Sequence, residues 1–236
     1  MEKVIVTLRT ATADDEWAEQ MRGPVAQELL ALGLPGLTVN VRDRDVRDSM
    51  MTLTVLDPPV QALISVWTQQ YYGDQMLMAL ELLGHYAEEI AAYLVTESAP
   101  LPPPSTPPGQ RSPGLANMAL LRRPADMDEA TWLARWHGNH TPVAIATQST
   151  FTYVQNYVVR ALTEDAPVIN AIVEEHFPIE AVGSLHAFFG AADDADLQSR
   201  MEQMVASTAA FGANVNIDAV PTSRYQFRSP FVSEQS

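Results

Sequence analysis

The sequence contains no cysteine, which removes disulfide frameworks, thiol nucleophiles and thiolate metal sites and makes a reducing cytoplasm the expected setting. Positive charge is also scarce: 14 Lys and Arg stand against 29 Asp and Glu, a formal net charge of −15. A phosphate backbone requires a basic surface, so nucleic acid is not an expected partner. No apolar run reaches the roughly 18 residues of a membrane span, and the opening MEKVIVTLRT lacks a basic stretch followed by an apolar one. Neither export nor membrane insertion is expected. There is no G-x-G-x-x-G after a strand, no Walker loop and no G-x-S-x-G elbow, which takes support from nucleotide-dependent and serine-hydrolase chemistry.

What is present is a chain of 236 residues, 47% hydrophobic and 18% charged, enough for one large core or two domains of about 100 residues each. The clearest boundary is APLPPPSTPPGQRSPG, residues 99–114, whose seven prolines leave few backbone donors and favour an extended linker on the surface. It separates residues 1–98 from residues 115–236, and both parts open alike, with KVIVTLRTATADDEW in the first and NMALLRRPADMDEATW in the second.

In the first part, residues 3–9 read as a β-branched strand and residues 13–32 as a helix closed by Gly33. GLTVNVRD and SMMTLTVLD then read as two strands, residues 74–93 as a helix, and AYLVTES as a last strand. In the second part, MALLRR gives a strand, residues 128–139 a helix, STFTYVQNYVVRAL and VINAIVEEHF two strands, residues 194–210 a helix, and IDAVPTSRYQF a closing strand or an edge segment. The repeated β-α-β-β-α-β order predicts an α+β chain of tandem ferredoxin-like units with facing sheets. Closure into a barrel is not visible in the spacing.

Chemistry concentrates in the second part. WHGNHTPV holds two of only five histidines, and Pro142 predicts that the helix ends or kinks near His140. An imidazole among helix C-terminal carbonyls favours its protonated form. Trp132, Trp136 and His140 share one ridge at i, i+4, i+8, with His137 pointing elsewhere; the plain alternative is two core tryptophans and a capping histidine. On AIVEEHF, Glu174 and His176 alternate to one face and Glu175 to the other. A buried carboxylate there must find a partner or take up a proton, whereas an edge strand would leave these groups solvated. On FTYVQNYVV, Tyr153 and Gln155 share an aromatic face suited to a flat ligand, and Asn156 lies on the opposite face. His137 and His140, with Glu174 or His176, could approach a metal, but no familiar zinc spacing is present, and neither metal nor cofactor is expected.

Taken together, RRPADMDEATWLARWHGNHTPV, FTYVQNYVVRAL and INAIVEEHFP resemble the EthD-like family of the dimeric α+β barrel superfamily. The first part is a weaker copy, with Arg22 where the second has His140. The resemblance implies a barrel of two ferredoxin-like units, built here as a pseudo-dimer within one chain, although a homodimer is also compatible with the family. It implies a small-molecule pocket and assigns His140, Tyr153 and Glu174 to catalysis and Trp136, Gln155, Asn156 and His176 to substrate binding. The expected activity is cofactor-independent lyase chemistry on an aromatic or polyketide-like compound. A non-catalytic small-molecule carrier and a cofactor-free monooxygenase are the alternatives.

Overall fold

The structure is a computed structural model that describes residues 1–231. Its strands are β1 (Glu2–Arg9), β2 (Gly36–Val41), β3 (Val60–Thr68), β4 (Glu89–Leu101), β5 (Leu115–Leu121), β6 (Thr152–Ala161), β7 (Ala171–Phe177) and β8 (Asp218–Arg228). They form one closed antiparallel barrel in the order β1-β3-β2-β8-β5-β7-β6-β4. Within each half the first strand lies between the third and the fourth, and the halves are joined by β4–β6 and β2–β8 pairing. The eight-stranded barrel therefore closes within a single chain.

Helices α1 (Asp15–Gln20), α2 (Ala26–Ala31) and α3 (Asp74–Gly84) cover the first half. The second carries α4 (Glu129–Leu133), α5 (Thr141–Thr147), α6 (Leu185–Phe189) and α7 (Asp194–Ala210). The acidic helix starts seen in the sequence act as N-caps. Asp14 accepts from the Trp17 amide, Asp128 from that of Thr131 and Asp193 from that of Asp196, at 2.8–2.9 Å, each satisfying a backbone donor left free in the first turn.

Closure of the sheet buries both faces of its strands. The outer face of β1, Val4, Val6 and Leu8, packs against Met21, Leu29 and Met76 of the helical layer. The inner face contributes Ile5 to a cluster with Leu63, Tyr93, Met118, Leu120, Ile172 and Val220, drawn from strands around the barrel. This apolar plug fills one part of the interior. The remainder is polar and forms the site described below.

Three sequence expectations are corrected. SMMTLTVLD is not a strand; it lies in turns with one isolated bridge, Leu53 to Ala219. The strand begins after Pro58 and Pro59, at Val60–Thr68, whose apolar residues on both faces suit a strand covered on two sides. The helix expected to run to residue 93 ends at Gly84, because the following segment supplies β4.

The helix does not end at His140. A π-helical segment, Ala134–His140, runs into α5 with Pro142 in its first turn. The Thr141 amide reaches back five residues to the Trp136 carbonyl, which also accepts from Thr141 Oγ1 at 3.1 Å. This wider turn carries the backbone past a proline that has no donor. A matching π-helical segment, Met21–Val25, contains Pro24 in the first half.

The proline-rich segment is more than a spacer. The Gly109 amide donates to the Gln226 carbonyl at 2.8 Å and the Ser112 amide to the Arg224 carbonyl at 2.7 Å, so the segment lies along β8. At its end Gly114 has φ +80°, and a Cβ there would stand 2.0 Å from the Phe177 carbonyl oxygen. Only glycine lets the chain enter β5 so close to β7.

Candidate active site

Lys3 of β1, Glu97 of β4, Asn156 of β6, Glu174 and His176 of β7 and Arg224 of β8 converge on the polar part of the barrel interior. Strand alternation turns each inward, and pairing registers bring them together. Glu174 and His176 share the inner face two residues apart, with His176 Nε2 2.7 Å from Glu174 Oε1. Lys3 Nζ pairs with Glu97 and donates to Asn156 Oδ1 at 2.8 Å. The Asn156 amide donates in turn to the Ile172 carbonyl at 3.0 Å, so Asn156 holds the lysine in place.

Glu174 is 5% exposed. Burial alone would raise its pKa, but the Arg224 charge, the His176 hydrogen bond and the more distant Lys3 outweigh burial and hold it down at about 2. It is therefore ionised and accepts only, which makes His176 Nε2 the donor and leaves Nδ1, buried and without a partner among the described residues, as the second ring nitrogen. Arg224 Nε lies 3.0 Å from Glu174 Oε1, yet its N–H is not directed at that oxygen and makes no hydrogen bond. The contact is an ion pair with a donor to spare.

Glu174 and Arg224 form the wall of a cavity of about 570 Å³ together with Lys3, Glu97 and Trp67. Pro102–Pro104, Pro108 and Phe227 line it as well, so the segment between the halves and the end of β8 both shape the site. The volume is that of a small-molecule pocket. Lys3 Nζ stands 4.8 Å from the centroid of the Trp67 ring, a cation over an aromatic face.

The other sequence-derived residues lie on the opposite face of the same sheet, under the helices. Tyr153 is buried with Trp132 and Trp136, and burial, with the charge of Glu175, pushes its phenol up. Gln155 Nε2 donates to Thr141 Oγ1 at 2.7 Å, and its carbonyl oxygen accepts from Ser98 at 3.0 Å. His140 packs its ring 4.8 Å from that of Phe211, with Nδ1 2.9 Å from Ser207 Oγ. His140, Tyr153 and Glu174 thus do not form one constellation. The expected protonation of His140 is also reversed: burial desolvates the ring and lowers its pKa to about 4. His137 is exposed and tilts over Trp136, with ring centroids 4.3 Å apart. The three histidines considered for a metal therefore occupy an exposed helix surface, the layer beneath α7 and the barrel interior.

This placement gives His140 a pH-dependent contribution to stability. Its folded pKa, about 4, lies below the ordinary 6.5, so the unfolded chain takes up the proton first. The stability the neutral ring contributes is complete above pH 6.5 and is lost as pH falls through 4. His140→Phe is expected to retain most of the packing and to flatten the fall in melting temperature between pH 6.5 and 4. An unchanged acid limb, measured by thermal melts across that range, would contradict the assignment.

Sequence reasoning missed Lys3, Glu97, Trp67 and Arg224. Nothing local to a lysine at a strand start or an arginine in a closing strand shows that the side chain turns into a covered interior. The available signal was the polar series Lys3, Thr7, Arg9 alternating with Val4, Val6, Leu8, which indicates a strand whose polar face is covered as well.

No family profile matches the chain, and no curated protein matches it in sequence. Solved structures match it in fold. An anthrone oxidase-like protein superimposes with TM-score 0.55 and 10% identity, covering 98% of this chain and 96% of its own. A candidate monooxygenase from Fusobacterium nucleatum does so with TM-score 0.50 and 8% identity, covering 96% and 93%. The chain has a dimeric α+β barrel-type fold. At such identities the likeness concerns the fold, and chemistry has to be argued from the residues of the site. Among the described residues no helix is long and apolar enough to cross a membrane.

Proposed function

We propose that this protein is an EthD-like enzyme, built from two ferredoxin-like units, that acts on a small aromatic or polyketide-like compound by proton transfer at the polar end of the barrel. The reaction class is that of a cofactor-independent lyase. The observation that carries the reading is a buried, ionised carboxylate, Glu174, on the wall of a cavity of about 570 Å³ whose other walls include Trp67 and Phe227.

In this reading Glu174 exchanges the proton with the substrate. His176, behind it, is a positioning residue whose Nε2–H fixes the carboxylate. Lys3, held by Asn156, offers a fixed positive charge to the electron density that develops on the substrate when a C–C or C–O bond breaks. Trp67 and the prolines supply a flat, water-poor enclosure.

A second reading, a non-catalytic carrier, draws support from the Arg224 ion pair, which keeps Glu174 a weak base until something displaces it. One experiment separates the readings. The protein is incubated with a panel of small aromatic and polyketide-like compounds, and each mixture is followed by mass spectrometry. Loss of carbon dioxide or water from one compound is the expected result. Recovery of a bound compound unchanged would favour the carrier, and gain of an oxygen atom would favour a monooxygenase.

A further inference from the structure

We infer that the ligand of this cavity carries a carboxylate on an aromatic body and that Arg224 is its anchor. The inference rests on the site proposed above and concerns what that site accepts. In a chain of formal charge −15, the charged side chains that line the cavity among the described residues are Lys3, Arg224 and Arg228 against Glu97 and Glu174, an excess of cations. Such local reversal of sign favours a monoanion, while the two carboxylates disfavour a dianion such as a phosphate ester.

Arg224 is the cation with unused capacity. Lys3 Nζ is held by Glu97 and Asn156, and Arg228, which donates to the Leu34 carbonyl at 2.7 Å, is exposed, so water can complete its donors. Arg224 is 5% exposed. Among the described residues its one hydrogen bond runs from Nη1 to Ser112 Oγ, at a long 3.3 Å, and its Nε–H is buried without an acceptor. A guanidinium has five donors in a planar fork that matches a carboxylate, so a ligand carboxylate satisfies what the protein leaves open. Thr38 Oγ1, on the same wall, is likewise buried without a partner. The rest of the ligand meets the faces of Trp67 and Phe227 and the proline rings, surfaces suited to an arene.

The arrangement has a consequence for Glu174. A bound carboxylate draws Arg224 away from it and sets a second negative charge nearby, and both changes make Glu174 more basic. The substrate would thereby prepare the group that acts on it.

The test compares arene carboxylates, benzoate and 2-naphthoate, with the isosteric neutral amides, by titration calorimetry on the full chain. The expected result is at least ten-fold tighter binding of the acids, weakened by salt, with the preference abolished in Arg224→Gln and amide affinity retained. Should Arg224→Gln fail to fold, Arg224→Lys, which keeps the charge but not the planar fork, is expected to reduce the same preference, and the comparison of acid with amide on the unaltered protein needs no variant. Equal binding of acid and amide, an acid preference that survives Arg224→Gln, or binding of neither class overturns the inference. The outcomes also separate it from the enzyme reading. Acids bound through Arg224 but never consumed would defeat catalysis alone, whereas turnover of neutral arenes with acids ignored would defeat the carboxylate assignment alone.

Discussion

Glu174→Gln is expected to lower turnover by roughly two to four orders of magnitude, the range associated with a positioned proton-transfer group, and to destabilise the fold at the same time. Glutamine keeps the shape and can still accept from His176, but it leaves the Arg224 charge buried without its counter-charge. Removing one partner of a buried pair costs about 3 kcal/mol, which for a chain of this size lowers the melting temperature by roughly 6–12 °C. The pH dependence has a defined sign. The folded pKa of Glu174, about 2, lies below the ordinary 4.5, so its stabilising contribution is present above pH 4.5 and is lost as pH falls through 2. The gap between the two proteins should therefore close in acid. Kinetics and melts on the same folded preparation check both claims; full turnover in the variant would remove Glu174 from the chemistry.

Glu175→Gln, one residue along, is expected to do the opposite. Glu175 is 9% exposed on the helix-facing side, opposite Tyr153 on β6 and Asn117 on β5. Burial, uncompensated by any cation, raises its pKa to about 7 from 4.5. A raised folded pKa means that the native state holds the proton longer than the unfolded chain, so stability falls as pH rises from 4.5 through 7. The ionised group at pH 8 then costs up to about 3 kcal/mol, at 1.36 kcal/mol per pH unit. The neutral amide removes that cost. Glu175→Gln should be more stable than the parent at pH 8, equal to it near pH 4.5, and unchanged in turnover. A variant less stable at pH 8, or a gain that is the same at both pH values, would show that Glu175 has a counter-charge after all.

These adjacent glutamates show how far the sequence reaches. Alternation along AIVEEHF put Glu174 with His176 on one face and Glu175 on the other, and the structure has the 2.7 Å contact that this spacing allows. It could not say which carboxylate would be paired. Arg224 lies fifty residues downstream and Lys3 at the far end of the chain, and both arrive only when β8 and β1 take their places in the barrel. The carboxylate that meets them is ionised, and the one that does not is pushed toward its neutral form.

Local rules accounted for much of the scaffold. The aspartates that begin the helices cap them, Gly33 adopts φ +79° just past α2, and residues 194–210 form the helix their sequence suggests. Those features depend on neighbours a few positions away. The misread strand at residues 49–57 and the helix that passes Pro142 depend on more. Val60–Thr68 is a strand because it lies between β1 and β2, and the π-helical turn is held by packing of Trp132 and Trp136 on the sheet.

The sequence by itself determined the capped helix starts and the faces of the residues on β6 and β7, since these follow from near neighbours and a two-residue period. The tertiary structure decided that the strands close on themselves, and with that it decided where the site lies. Closure makes an inside, and side chains separated by most of the chain become neighbours there. His140 and Tyr153 lie outside it, whereas Lys3, Glu174 and Arg224 lie within it, because the two faces of a barrel wall meet different company: helices on one side and the opposite strands on the other.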